Sequence, residues 1–195
     1  MHVCHYTKYS NYSEKGCTVS AKQKYTFGLD SFGDLAAKPD GSLTNYAEAI
    51  RLVVDEAVLA EKLGVDVIAL GEHHREDFAI SSPEMVLAAI AGKTKKIKLA
   101  SGVTVLSSDD PVRVYERFAT LDAVSGGRAQ VILGRGSFTE SFPLFGYDLR
   151  DYEALFEEKI ALFAELRKEK PVAWEGEYTQ SLESAAVSPI KLTQS

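Results

Sequence analysis

The feature that most constrains this chain is a repeated exchange of two periodicities, in which segments with apolar residues at helical spacing alternate with short β-branched runs. Tyr46 to Leu63 carries Ile50, Val53, Val54, Ala57, Val58 and Ala60 on one helical face, stops at Gly64, and hands over to Val65-Asp66-Val67-Ile68-Ala69-Leu70. Ser82-Pro83 offers a cap and a first-turn proline for a second helix, which runs through Met85, Val86, Leu87 and Ile90 to Gly92. Ile97 to Leu106 reads as the next strand. Asp110-Pro111 opens a third helix with Val112, Val114, Phe118, Leu121 and Val124, halted at Gly126-Gly127, and Arg128 to Leu133 reads as a further strand. Tyr25 to Asp30 is the first strand-like run, and the last long helix is expected over Asp151 to Lys168.

Strands that are apolar on both faces and separated by helices call for a parallel sheet of right-handed βαβ units. The predicted class is therefore α/β, with four parallel βα units. A closed (β/α)₈ TIM barrel needs eight units and about 250 residues, so residues 25–170 are read as the N-terminal half of one. Residues 1–24 are polar and without apolar periodicity, and are expected to be a disordered or extraneous extension. Residues 171–195 read as a strand-loop excursion, with a hairpin at Trp174-Glu175-Gly176-Glu177-Tyr178, and then a truncated tail with no further strand or helix.

A formal net charge of −6 disfavours a nucleic-acid or anionic-membrane partner, which would need clustered cations over phosphates. The one dense basic run, Lys93-Thr94-Lys95-Lys96-Ile97-Lys98, falls between a helix and a strand and reads as a solvated helix end. No apolar stretch has bilayer length, and the N-terminus lacks the pattern of a signal peptide, so a cytoplasmic location is expected. Cys4 and Cys17, the only two cysteines, lie in the polar opening segment and suggest no disulfide framework. His2 and His5 beside them match no closed zinc spacing, and no metal is expected.

In parallel βα folds ligands bind at the C-terminal ends of the strands. Those ends read Asp30-Ser31-Phe32-Gly33-Asp34, Gly71-Glu72-His73-His74-Arg75, Ser101-Gly102-Val103-Thr104 and Gly134-Arg135-Gly136-Ser137. Adjacent histidines at a strand end point to opposite faces, so His73 and His74 are poorly placed to share a metal. One of them can face a pocket as a proton donor or acceptor, with Glu72 to hold its tautomer or take a substrate proton. The bland alternative is a hydrogen-bonded structural cluster. Gly134-Arg135-Gly136 sets a guanidinium where glycines allow close backbone approach, which suits a phosphate; a turn with a surface arginine would look the same. The dinucleotide fingerprint of a Rossmann fold is absent.

Taken in order, these residues resemble the luciferase-like flavin monooxygenases. The resemblance rests on Phe27-Gly28-Leu29-Asp30, Leu70-Gly71-Glu72-His73-His74, Ser101-Gly102-Val103 with Pro111-Val112-Arg113, and Ser125-Gly126-Gly127-Arg128 leading to Gly134-Arg135-Gly136. Phe145-Gly146 with Leu155-Phe156-Glu157-Glu158 extends it over about residues 25 to 190. It implies a barrel that binds reduced flavin mononucleotide (FMN) at its C-terminal mouth and uses oxygen or another acceptor to oxidise a small organic substrate. A flavin reductase or NAD(P)H would supply the electrons. By the same resemblance His73 is the catalytic histidine supported by Glu72, and Arg135 meets the flavin phosphate. Asp30, Ser101, Gly102, Val103, Gly134 and Gly136 line the cofactor, and a cis peptide that does not precede proline falls near Gly102-Val103. The deazaflavin F420 is the alternative cofactor, and a homodimer is expected.

Strands five to eight of such a barrel are missing from the sequence. These residues alone are therefore expected to bind flavin weakly and either to self-associate or to aggregate. A non-catalytic flavin-binding or vestigial fragment is the competing reading. A hydrolase using Glu72 and His73 on a bound water is a third. The substrate itself is not legible, because specificity in these folds lies in variable loops.

Overall fold

The computed structural model describes residues 25–189. The opening segment with His2, Cys4, His5 and Cys17, and the last six residues of the tail, lie outside the described residues. Five helices are described: α1 (Tyr46–Lys62), α2 (Pro83–Lys93), α3 (Pro111–Ser125), α4 (Ser141–Phe145) and α5 (Tyr152–Leu166). The strands are β1 (Gly28–Ser31), β2 (Val67–Leu70), β3 (Lys98–Ser101), β4 (Thr104–Val105), β5 (Ala129–Gln130), β6 (Leu133–Gly134), β7 (Val172–Trp174) and β8 (Leu182–Ala185).

Local chemistry accounts for the helix ends. Asn45 caps α1 by accepting the Glu48 N–H, while the Glu48 carboxylate accepts the Asn45 N–H, a reciprocal capping box. Asp110 accepts the N–H groups of Val112 and Arg113 at the start of α3, and Gly126 in the left-handed region, at φ +71°, closes it. Ser82 precedes α2 as expected but makes no side-chain cap; Pro83 alone marks that start. On α1 the buried stripe is Ala49, Val53, Val54, Ala57 and Ala60, which faces the sheet.

The main sheet has the order β1-β2-β3-β5 with every pair parallel, registered Gly28 on Val67, Val67 on Lys98 and Leu99 on Ala129. Each helix thus returns the chain beside the strand it has just left, the progression of a barrel. The core is the layer between this sheet and its helices, with Leu70, Leu87, Ile90, Leu99, Leu106 and Phe118 essentially inaccessible to solvent. At the N-terminal ends of the strands Arg128 donates to the carbonyls of Ala91, Thr94, Ile97 and Ser125 and to the Thr94 hydroxyl, tying α2 to α3. Beside it the Glu61 carboxylate accepts the N–H groups of Lys95, Lys96 and Ile97.

Three departures from the sequence reading bear on the site. The runs expected as single strands, Ile97 to Leu106 and Arg128 to Leu133, are each broken in two. After the break β4 pairs with β6 in a separate parallel ladder, Thr104 on Leu133 and Val105 on Gly134. The gap is bridged by Ser101, whose hydroxyl donates to the Ile132 carbonyl at 3.2 Å and accepts the Ile132 N–H at 3.1 Å. The short helix α4 had no sequence signal of its own. The C-terminal hairpin is wider than the expected Trp174 to Tyr178: β7 pairs antiparallel with β8 across residues 175–181, which puts the second strand in the stretch read as a tail without strands. Glu158 of α5 organises that turn by accepting the N–H groups of Glu177, Tyr178 and Thr179. Among the described residues no helix is long and apolar enough to cross a membrane.

Candidate active site at the strand ends

The chain leaves β2 through Gly71, where an added Cβ would stand 2.3 Å from the Phe32 ring and 3.4 Å from the Gly102 carbonyl oxygen. No residue with a side chain fits there without displacing Phe32. This close approach brings the ends of β1, β2 and β3 together. Asp30, at the end of β1, faces Gly102: a Cβ on Gly102 would lie 3.1 Å from Asp30 Oδ1 and 3.1 Å from the Ala69 methyl. The Gly102-Val103 peptide is cis, where the family resemblance implied it. Val103 in turn occupies the space a side chain at Gly134 would need, with Cγ2 2.7 Å from such a Cβ.

His73 turns to one side of β2 and enters an aromatic box. Its ring stacks on Phe78, with centroids 4.4 Å apart and planes 27° apart, and meets Phe32 and Phe138 edge-on at 4.9 and 5.3 Å. Its backbone N–H donates to the Ile80 carbonyl at 3.0 Å. Nε2 is buried and has no hydrogen-bond partner, a state that costs about 1–3 kcal/mol for a polar group. Burial holds the imidazole below its ordinary pKa, against the opposing pull of Glu140, Asp34 and Asp77. The ring is therefore neutral at pH 7, with a nitrogen ready to exchange a proton.

His74 points to the other face, where Nε2 lies 2.9 Å from Glu72 Oε1 and the ring meets Phe145 edge-on at 4.9 Å. The other Glu72 oxygen accepts the Val105 N–H at 2.9 Å. The sequence reading had Glu72 supporting His73. Alternation along an extended chain puts residues 72 and 74 on the same side and 73 on the opposite one, so the carboxylate serves His74 and the β4 backbone instead.

Arg135 follows β6 and lies against α5, with Nη2 2.6 Å from Glu153 Oε2 and the guanidinium 5.0 Å from the Phe156 ring. Its Nε is buried with no partner, although the ion pair itself is 37% and 64% exposed on its two sides. Gly136, at φ +79°, turns the chain close to Val105. The predicted cofactor residues Asp30, Gly102, Val103 and Gly134 thus form one contiguous surface. The Ser101 hydroxyl is engaged with Ile132, and the Arg135 guanidinium is directed to α5. Among the described residues no three His, Cys, Asp or Glu side chains converge as metal ligands would.

Sequence reasoning passed over the aromatic box and Lys159. Lys159 sits on the buried face of α5 with Leu155, Leu162, Phe163 and Leu166. Its Nζ donates to the Ser107 carbonyl at 2.8 Å and lies 4.0 Å from the centre of the Tyr147 ring. A lysine at the i+4 position from one buried leucine and i−3 from another was the available signal.

Parallel βα units with polar residues gathered at the strand C-termini define the class of (β/α)₈-barrel proteins. Within it the chain belongs to the luciferase-like monooxygenase family, whose family model matches residues 32–192, a family of flavin-dependent monooxygenases. It is 32% identical to the alkanal monooxygenase alpha chain of Photorhabdus luminescens over 114 residues, which cover 58% of this chain and 32% of that one. In fold it is similar to the oxygenating constituent of 3,6-diketocamphane monooxygenase from Pseudomonas putida, a structure in complex with FMN, at a TM-score of 0.71 and 22% identity, covering 83% of this chain and 44% of that one. It is likewise similar to an F420-dependent secondary alcohol dehydrogenase in complex with an F420-acetone adduct, at a TM-score of 0.66 and 21% identity, covering 83% and 47%. The chain spans about half the length of these two structures. Family members use FMN or F420.

Proposed function

We propose that these residues form the flavin-binding, His73-bearing part of a monooxygenase that uses reduced FMN and oxygen on a small organic substrate. One observation carries the reading: His73 holds a neutral imidazole whose buried Nε2 has no partner in the protein, inside an otherwise apolar box at the end of β2. Such a nitrogen has an unfilled hydrogen bond to offer a substrate or cofactor atom.

The strand-end residues suit a flavin. At Gly102 and Gly134 the missing side chains let Asp30 and Val103 pack directly on the backbone, so that the Asp30 carboxylate and Val103 stand at the surface a flavin would meet. Arg135 would hold the phosphate by exchanging partners: both Glu153 oxygens now meet its fork, Oε1 at 3.2 Å from Nη1 and Oε2 at 2.6 Å from Nη2, in a solvent-exposed pair, and a phosphate dianion offers the same two-oxygen geometry with more charge. Ser101 would act through its backbone and Glu72 by positioning. When bound, reduced flavin supplies two electrons and activates oxygen, so that one oxygen atom enters the substrate and the other leaves as water. His73 supplies or accepts the proton at the reacting atom, and its aromatic surroundings exclude water from that exchange. A reductase or NAD(P)H would renew the reduced flavin, and the active protein would be a homodimer.

Anaerobic titration with reduced FMN and with reduced F420, followed by mixing with oxygen, tests this. Tighter binding of FMN, oxygen uptake that falls in His73→Ala, and a loss of FMN but not riboflavin affinity in Arg135→Ala are expected. Equal oxygen uptake by the parent and His73→Ala would remove His73 from the mechanism. Binding without oxygen uptake in either would favour the non-catalytic reading.

A further inference from the structure

The His73 ring lies beneath a cover made by two side chains from different strand-end loops. The Arg75 guanidinium carbon stands 4.5 Å from the centre of the Phe138 ring and 6.0 Å from that of Phe78. Phe138 is edge-on to His73 in turn. Arg75 is aimed by Asp77, whose two carboxylate oxygens accept from Nε and Nη2 at 2.9 and 3.0 Å.

The two sides of this contact are held differently. The segment bearing Arg75 is stitched into the body by main-chain bonds: His73 N–H to Ile80 O, Ala79 N–H to Gly33 O and Leu35 N–H to Asp77 O. The segment bearing Phe138 starts at Gly136, in the left-handed region at φ +79°. The Tyr152 hydroxyl donates to the Gly136 carbonyl there at 3.4 Å, the long end of hydrogen-bond range. An exposed cation–π contact such as Arg75 on Phe138 favours the closed arrangement by only about two- to fivefold. The cover is therefore shut on one rigid side and is weakly latched on the other.

We propose that Arg75 and Phe138 form a clasp over His73 that determines which molecules reach its Nε2. Closed, the clasp keeps Nε2 from solvent while the rest of the ring stays partly exposed. Open, with Ser137 and Phe138 swung out between Gly136 and Thr139, whose carbonyl accepts the Phe142 N–H at 3.1 Å, it leaves an apolar space bounded by Phe32 and Phe78, into which a substrate must place an apolar group to bring a polar atom to Nε2. Arg75 is a positioning residue in this scheme and Phe138 a specificity-determining one. The idea rests on His73 being the reacting imidazole, but its test requires neither flavin nor turnover, so the two readings fail separately.

The test is acylation of the full chain by diethylpyrocarbonate, which attacks neutral imidazole, with His73 and His74 resolved by peptide fragmentation. Arg75→Ala is expected to raise the His73 rate about two- to fivefold, Phe138→Ala to raise it further, and Arg75→Lys, which keeps the cation, to stay near the parent. The His74 rate serves as the internal reference and should not move. Phe138→Leu replaces Phe138→Ala if that variant loses its circular-dichroism spectrum, and is expected to open the site to a smaller extent. Unchanged His73 rates in Arg75→Ala and in the folded Phe138 variant would overturn the proposal, as would a parent His73 that reacts as fast as free histidine.

Discussion

Glu72 hydrogen-bonds to His74 and not to His73, and its second oxygen accepts the Val105 N–H, so one carboxylate joins the end of β2 to the end of β4, just beyond Gly102-Val103. It braces the surface on which a flavin would rest. Glu72→Ala strands a backbone N–H and an imidazole, at a cost of about 2–4 kcal/mol, and urea denaturation measures it. Glu72→Gln keeps an acceptor for Val105 and should lose about half as much. An alanine variant as stable as the parent would mean that the brace carries no weight.

His73 gives stability a pH dependence. Its folded pKa lies below the ordinary value of 6.5 because burial disfavours the imidazolium. As pH falls through 6.5, the unfolded chain takes up a proton that folded His73 refuses, so stability drops. The drop levels off below the folded pKa, where both states carry the proton. Unfolding free energies of the parent and of His73→Asn between pH 5 and 8 isolate this component, which the variant lacks. Parallel profiles for the two proteins would contradict the assignment.

Arg128 explains the Ser-Gly-Gly-Arg motif in structural terms. Gly126 and Gly127 turn the chain with positive φ, and the guanidinium then fills the gap below α2 and α3 with hydrogen bonds to four carbonyls and the Thr94 hydroxyl. A lysine has three donors on a single atom and cannot reproduce that spread. Arg128→Lys should cost about 2 kcal/mol and Arg128→Ala about 3 kcal/mol, read from the denaturant midpoint. Oxygen uptake per folded molecule should hardly change, because the residue sits at the end of the sheet opposite His73.

Much of this fold was legible because its signals are local. Asp110-Pro111, Pro83 and Gly126-Gly127 mark helix ends within one turn, and the change from helical to alternating spacing marks where strands begin. The strand-end positions of Asp30, His73, Gly102 and Arg135 followed from that register. The breaks at residues 102–103 and 131–132 were not legible, since the apolar pattern runs through them; only the pairing of β4 with β6 and the bridge from Ser101 to Ile132 reveal them. The partner of Glu72 was available from alternation but depends equally on where Val105 lies, which is a tertiary fact. The aromatic box assembles Phe32, Phe78 and Phe138 from three loops distant in sequence, and β8, with Glu183 and Ser184 exposed, carries too few apolar residues to declare itself.

Lys159 supplies the sharpest stability test. The residue is 1% exposed, and burial lowers its pKa from 10.5 to about 8 despite the favourable charges of Asp109, Asp110 and Glu158. Between pH 8 and 10.5 the unfolded chain holds a proton that the folded chain has released, so stability rises with pH across that window. Below pH 8 both states are charged and the full penalty applies, about 3 kcal/mol at 1.36 kcal/mol per pKa unit. Lys159→Met keeps the length of the side chain and removes the ionisation, at the expense of the hydrogen bond to the Ser107 carbonyl. The parent is expected to gain stability from pH 7.5 to 10 relative to Lys159→Met, with a difference that grows by about 2–3 kcal/mol. A difference that stays flat over that range would show that the buried amine titrates as it does in water.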